Sequence, residues 1–313
     1  FFGASQEMAS ETAVLDNETP QPEELESVVV RFAGDSGDGM QLTGGQFTQA
    51  SALAGNDLST FPDFPAEIRA PIGTTFGVSS FQIHFGQRKV LTAGDKLDVL
   101  VAMNPAALMV EISNLREGGL VILDTGAFTD RNIKRAGFEK NPLDDDTLSP
   151  FRSLKIDIST LTMECVKGLG LGKKDSLRCK NFWTLGLVYW MYGRSRQVTI
   201  DWLQQKFAKL PGIAKANIAA LNAGHAFGET AELSGDASRY SIPAADIVPG
   251  IYRTVSGGEA LAWGLLAGAQ KAGLKLFFGS YPITPASTLL HILAGLKSFS
   301  VTTFQAEDEI AAV

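Results

Sequence analysis

The chain has 313 residues, 45% of them hydrophobic and 19% charged, with a net charge of −7. That length suits two domains of ordinary size, and the acidic balance argues against a basic nucleic-acid surface, so no nucleic-acid partner is expected. Two cysteines, Cys165 and Cys179, without Cys-x-x-Cys spacing, exclude an iron–sulfur cluster held by this chain alone, which takes about four thiolates. They point to a reducing, cytoplasmic compartment. The longest apolar stretch, Phe182–Tyr192, falls short of the ~20 residues of a bilayer span, and no membrane association is expected.

Residues 1–27 carry seven acidic side chains and no Lys or Arg, the composition of a disordered acidic tail and the opposite of a signal peptide. One α/β domain is expected over residues 28–230. Val28–Ala33 reads as a buried strand by its β-branched run. Gly34-Asp35-Ser36-Gly37-Asp38-Gly39 follows and opens a helix, Met40–Ala54, closed by Gly55. Pro62, Pro65 and Pro71 stiffen a loop that holds Glu67 and Arg69. Val78–Phe85 alternates as a strand with one solvated face. Val99–Met103 is a buried strand. Asn104 caps the next helix, with Pro105 at its first position. Gly118-Gly119 is read as its end, and Leu120–Asp124 as a further strand. Strands alternating with helices imply a parallel sheet covered on both faces. Residues 158–230 are mainly helical, with Asp175–Tyr192, Thr199–Lys209 and Ile213–Phe227 as the helices.

Residues 231–252, within a polar stretch from Gly228 to Tyr252, read as an extended surface linker, and a second domain begins at 253. Leu276–Ser280 is a short buried strand. Tyr281-Pro282-Ile283-Thr284-Pro285 follows, with Thr284 placed as N-cap and Pro285 as first residue of a helix running to about Lys297. A second strand ends at Gln305-Ala306-Glu307-Asp308-Glu309. A stiff loop at the carboxyl end of a strand is where open α/β sheets place ligands. The chain opens with Phe1-Phe2 and stops at Val313 in what reads as a first helical turn, so a fragment of a longer polypeptide is expected.

The Gly34–Gly39 loop invites a dinucleotide reading, because its amides could cradle an anion. Its spacing is Gly-x-x-Gly-x-Gly rather than Gly-x-Gly-x-x-Gly, and Asp35 and Asp38 would repel a pyrophosphate. A tight turn packed on another domain or partner is the preferred reading, with Gly34, Gly37, Gly39 and Arg69 as ligand or interface candidates. Gly37-Asp38-Gly39 lacks the downstream Asn of a magnesium–diphosphate motif, since Phe61–Ile72 contains none. His84, His225 and His291 show no metal-ligand spacing, and no metal site is assigned. Ala260, Gly264 and Gly268 share one helix face that permits close approach of a backbone or cofactor, or simply tight packing on a sheet.

Ser256-Gly257-Gly258-Glu259-Ala260-Leu261-Ala262-Trp263-Gly264, the loop Tyr281–Ser287 and the acidic cluster after the second strand together resemble the 2-oxoacid:ferredoxin oxidoreductases. The Gly34–Met40 loop, the Ala66–Pro71 core of the proline-rich segment and Lys180-Asn181 resemble the gamma domain of that family. The order, gamma domain ahead of a pyrimidine domain, looks most like the alpha subunit of the 2-oxoglutarate enzymes. The fold this implies is a gamma-type parallel-sheet domain followed by the N-terminal part of a thiamine-diphosphate pyrimidine-binding α/β domain. The implied function is oxidative decarboxylation of a 2-oxoacid, with 2-oxoglutarate expected, to an acyl-CoA, CO2 and reduced ferredoxin. Glu307 is then the carboxylate facing the aminopyrimidine, a buried acid of raised pKa, with Asp308 and Glu309 serving the following helix. Tyr281, Pro282, Ile283 and Thr284 form the cofactor and substrate loop. Thiamine diphosphate would be shared with a beta subunit carrying magnesium, the diphosphate-binding domain and a [4Fe–4S] cluster. Coenzyme A is the co-substrate, ferredoxin the electron acceptor, and a dimer of heterodimers the expected assembly. The alternatives are a nicotinamide-dependent dehydrogenase using Gly34–Gly39 and a non-catalytic assembly subunit.

Overall fold

A computed structural model describes residues 22–65, 70–231, 239–284 and 286–313. The tail expectation for residues 1–21, and the roles considered for Glu67, Arg69 and Pro285, lie outside the described residues. The tail does not reach residue 27. Strand β1 (Glu23–Glu24) is already ordered, and β2 (Ser27–Asp35) starts the main sheet.

From β2 the chain runs through α1 (Met40–Leu53), β3 (Asp57–Asp63), β4 (Val78–Gly86), β5 (Leu97–Ala102), α2 (Pro105–Glu111), β6 (Leu115–Asp124), α3 (Asp130–Ala136) and β7 (Arg152–Ile156). The six strands lie in the order β3-β4-β2-β5-β6-β7. β2, β5, β6 and β7 pair in parallel, whereas β4 is antiparallel to both β2 and β3. The sheet is therefore parallel-dominant and mixed, with β4 alone reversed. β3 covers the start of the segment read as a proline-stiffened loop. Pro62 is tolerated there because β3 is an edge strand. Gly118-Gly119 do not end a helix. α2 stops at Glu111 and the two glycines lie inside β6.

The alternation of β2 sets the layers. Val28, Val30 and Phe32 point into one core with Phe47, Trp183 and Tyr189, while Val29 and Ala33 point into a second core with Leu108 and Ile133. The first core is covered by α1, α6 (Lys180–Met191) and α8 (Pro211–Thr230), the second by α2 and α3. α4 (Ile158–Cys165), α5 (Lys173–Arg178) and α7 (Gln197–Lys206) complete the helical half. The long helix expected over Asp175–Tyr192 breaks at Cys179. α6 and α8 cross at backbone contact. A Cβ added to Gly224 would lie 1.8 Å from the Trp183 carbonyl oxygen, and one added to Gly186 would lie 2.0 Å from that of Leu221.

The stretch read as a surface linker is partly docked. β8 (Tyr240–Ser241) pairs in parallel with β1. Tyr240 and Ile242 are buried, and the Tyr240 ring stacks on Tyr192 with centroids 5.7 Å apart. The Asn56 amide donates to the Pro243 carbonyl (2.8 Å), and the Ala245 N–H donates to the Gly55 carbonyl (2.8 Å). Isolated apolar residues in a polar stretch give no periodic signal, so the docking of this strap is visible only in the folded chain.

The second unit holds α9 (Gly257–Lys271), β9 (Leu276–Ser280), α10 (Ser287–Gly295), β10 (Val301–Gln305) and α11 (Glu309–Ala312). Ser256 and Glu259 form a capping box at the start of α9. β9 and β10 pair in parallel, Leu276 with Val301 through Ser280 with Gln305. β9 is not fully buried as expected: Phe277 is 64% exposed, as is Phe304 of β10 at 51%. Thr284 is not the helix cap. α10 starts at Ser287 with Ala286 at the N-cap position, and the Ser287 hydroxyl meets the Ile283 N–H and carbonyl, both at 3.0 Å. Among the described residues no helix is long and apolar enough to cross a membrane.

Candidate functional site

Two constellations stand at carboxyl ends of parallel strands. The first is at β9 and β10. Their register carries the chain on in step: the Ala306 N–H donates to the Ser280 carbonyl at 2.8 Å. The Tyr281–Thr284 loop therefore leaves β9 directly beside the turn that carries Glu307 out of β10. Tyr281 and Ile283 are half-buried, whereas Pro282 and Thr284 are exposed. Glu307 is exposed too, so this chain alone does not bury it as the sequence reading assumed. The three acids separate by role. Asp308 is the N-cap of α11, its carboxylate accepting the Ala311 N–H at 2.8 Å. Glu309 lies in the first turn, where the helix dipole favours an acid. Glu307 makes neither contact and faces outward beside the loop.

Gly264 and Gly268 of α9 have open space where a Cβ would stand, with Leu261 53% and Leu265 37% exposed alongside. Tight packing on the sheet is therefore not what keeps these residues small within this chain.

The second constellation surrounds the Gly34–Gly39 loop, at the ends of β2, β5 and β6. β2 is followed by α1 and β3 on one side of the sheet, while β5 and β6 build out on the other. The loop thus sits at the switch point where open sheets form a crevice. Gly39 has φ +77°, and its missing Cβ leaves room for the Asn181 amide, which would stand 2.6 Å from it. Asp38 turns back on the loop, its carboxylate accepting the Asp35 N–H at 3.1 Å. The Lys180 ammonium lies 3.5 Å from Asp38 and 3.8 Å from Asp124. Asp124 is fully buried and accepts from Ser159 through its N–H (3.0 Å) and hydroxyl (2.7 Å). Burial raises the Asp124 pKa, against the opposing pull of Lys180 and Ser159. Asp35 is also raised, first by burial and then by the Asp38 charge, and its carboxylate accepts the Gly73 N–H at 3.1 Å. Asp38 is therefore paired inward rather than presented as a bare anion. Lys180, Asp124 and Ser159 join this site only through the fold. The only sequence signal was the Lys180-Asn181 pair opening a helix.

Residues 29–227 match the family described as pyruvate ferredoxin/flavodoxin oxidoreductase. The chain belongs to this family. It is 52% identical over 294 residues to the 2-oxoglutarate oxidoreductase subunit KorA of Mycobacterium tuberculosis, covering 94% of this chain and 45% of that protein. It is 32% identical over 115 residues to the ketoisovalerate oxidoreductase subunit VorA of Methanothermobacter marburgensis, covering 36% of this chain and 23% of that one. Among solved structures it is similar to the 2-oxoglutarate:ferredoxin oxidoreductase from Magnetococcus marinus, determined with 2-oxoglutarate, coenzyme A and succinyl-CoA bound. That likeness has a TM-score of 0.68 at 25% identity, covering 92% of this chain and 44% of that one. The chain spans about half the length of the mycobacterial subunit and of the Magnetococcus chain.

Proposed function

We infer that this chain is part of the alpha subunit of a 2-oxoacid:ferredoxin oxidoreductase that uses 2-oxoglutarate and forms an acyl-CoA. The observation that carries the reading is the pairing of β9 and β10, which sets Glu307 beside the Tyr281–Thr284 loop. An outward carboxylate next to a stiffened loop suits an aminopyrimidine ring, whose nitrogens need an acid partner and whose faces need a wall. Thiamine diphosphate, when bound, supplies the carbanion chemistry that decarboxylation of a 2-oxoacid requires. In this reading Glu307 holds a proton at the ring nitrogen, and Tyr281–Ile283 form the wall. Thr284 offers its hydroxyl to the substrate carboxylate. The domain boundary near residue 253, the beta subunit with magnesium, diphosphate-binding domain and [4Fe–4S] cluster, the dimer of heterodimers and the cytoplasmic location all belong to the same proposal. So does contact between coenzyme A and the Gly34–Gly39 loop. Ser36 and Gly37 are exposed there, and Asp38 is paired with Lys180.

The test is co-expression of the whole gene with its neighbouring subunit genes, followed by assay of ferredoxin reduction with 2-oxoglutarate, pyruvate and branched 2-oxoacids. Reduction that requires thiamine diphosphate and coenzyme A, and is fastest with 2-oxoglutarate, is expected. Reduction of NAD without ferredoxin would overturn the reading.

A further inference from the structure

Lys180 is the first residue of α6, and its side chain is only 13% exposed. A buried ammonium is costly unless paired. α6 does not need it for packing, because its grip on the domain comes from Phe182, Trp183, Leu185, Leu187, Val188 and Tyr189 in the core. What Lys180 joins is three segments far apart in sequence. Asp124 lies at the tip of β6, fixed by Ser159. Asp38 lies in the Gly34–Gly39 loop, fixed on the Asp35 N–H. Asp35 in turn holds Gly73, beyond the proline-rich segment. Next to Lys180, the Asn181 amide fills the space under Gly39. The start of α6 therefore holds the loop twice, once by charge and once by shape.

We propose that Lys180 is a positioning residue, which keeps the Gly34–Gly39 loop in one conformation and draws the Asp38 carboxylate inward, so that the exposed Ser36-Gly37 edge accepts a phosphate-bearing co-substrate. The identity of that co-substrate as coenzyme A rests on the function proposed above. Asp124 orients the ammonium from below, and Asp38 transmits the hold to the loop backbone.

Two measurements test this on the assembled complex. The first needs no substrate: hydrogen exchange at the amides of Asp35, Ser36 and Asp38, which donate to the Asp38 carboxylate and to the Gly77 and Asp35 carbonyls. Exchange is expected to quicken about tenfold or more in Lys180→Met, as local opening becomes easier, and to stay near wild type in Lys180→Arg. Unchanged exchange in Lys180→Met overturns the proposal whatever the complex turns over. The second is kinetic. Lys180→Met should raise the KM for coenzyme A about tenfold with kcat unchanged, the pattern of lost uniform binding. CO2 release in a single turnover without coenzyme A should also stay unchanged. A fall in that single turnover equal to the fall in kcat, with KM unmoved, would mark a merely structural residue and overturn the proposal. Should Lys180→Met fail to assemble, Asp38→Ala and Asp38→Asn carry the test. Both remove the charge that ties Lys180 to the loop, so both should quicken exchange and raise KM, Ala more than Asn because Asn keeps an acceptor for the Asp35 N–H. Both behaving as wild type would overturn it. A wild-type complex with no coenzyme A-dependent turnover would remove the proposed function, and the exchange result would still decide the role of Lys180.

Discussion

The glycines of α6 and α8 and those of α9 are the same residue in similar helices, yet they do opposite things. At Gly186 and Gly224 the space of a Cβ is filled by the facing backbone, so the helices touch and the first domain closes its own core. At Gly264 and Gly268 that space is empty, and Leu261 and Leu265 beside them are open. The polar sites divide in the same way. Around Gly34–Gly39 each carboxylate already has a partner within the chain, whereas Glu307 has none among the described residues. Around its loop the first unit pairs its carboxylates internally, and the second presents Glu307 outward.

The contrast can be broken at several points. The largest effect is expected at Glu307. Glu307→Gln keeps the shape and removes the acid, so 2-oxoacid-dependent ferredoxin reduction should fall about 100- to 10,000-fold, the usual range of general acid–base assistance. Asp308→Asn and Glu309→Gln, which alter only a cap and a first turn, should cost far less. If one of them collapses while Glu307→Gln stays active, the assignment is wrong. Next is Gly224→Ala, which drives a methyl into the Trp183 carbonyl. A loss of roughly 1–3 kcal/mol or more is expected in urea unfolding, as for other overpacked contacts. Stability near wild type would show that the α6–α8 contact yields easily. Ser256→Ala removes one arm of the capping box, and about 1 kcal/mol should be lost from the unit that holds α9. Gly264→Ala is the opposite case. With open space at the site, the chain should gain about 0.4–1 kcal/mol. The same change should weaken the assembled complex if that face is covered there, and a gain in both states would leave the small residues unexplained.

The smallest effect concerns pH. Asp35 has a folded pKa raised from 3.8 by burial and by Asp38. A raised carboxylate binds its proton more tightly folded than unfolded. Its contribution to stability is therefore full below 3.8 and declines as pH rises from there through the folded value. Asp35→Asn keeps an acceptor for the Gly73 N–H and removes the titration. The difference in unfolding midpoint between variant and wild type should grow in favour of the variant as pH rises above 3.8. A constant difference across that interval would contradict the burial argument.

Much of the first domain was legible. The β-branched runs of β2 and β6, the Asn104–Pro105 start of α2 and the Met40 start of α1 all follow from local rules, and the structure has them. Asn104 does accept the Ala107 N–H, at 2.8 Å. β3 was hidden because a proline usually argues against a strand, and only the finished sheet reveals that this one is an edge. In the second unit the order strand, loop, helix, strand, acid was readable. The cap was not, because a Thr-Pro pair gives the same signal whether or not the helix begins there. The Lys180–Asp38–Asp124 cluster could not be read at all. Its members meet only through tertiary structure, and a lone Lys or Asp in the sequence carries no sign that it will be buried.

The docked strap also sets a length of tether. Had everything between α8 and α9 been free, about 25 residues would separate the two units. With Ala245 bonded to Gly55, only about 11 remain before Ser256, spanning at most ~40 Å when fully extended. Three backbone bonds and one stacked tyrosine pair thereby set how far the unit that carries Glu307 can stand from the unit that carries Gly37.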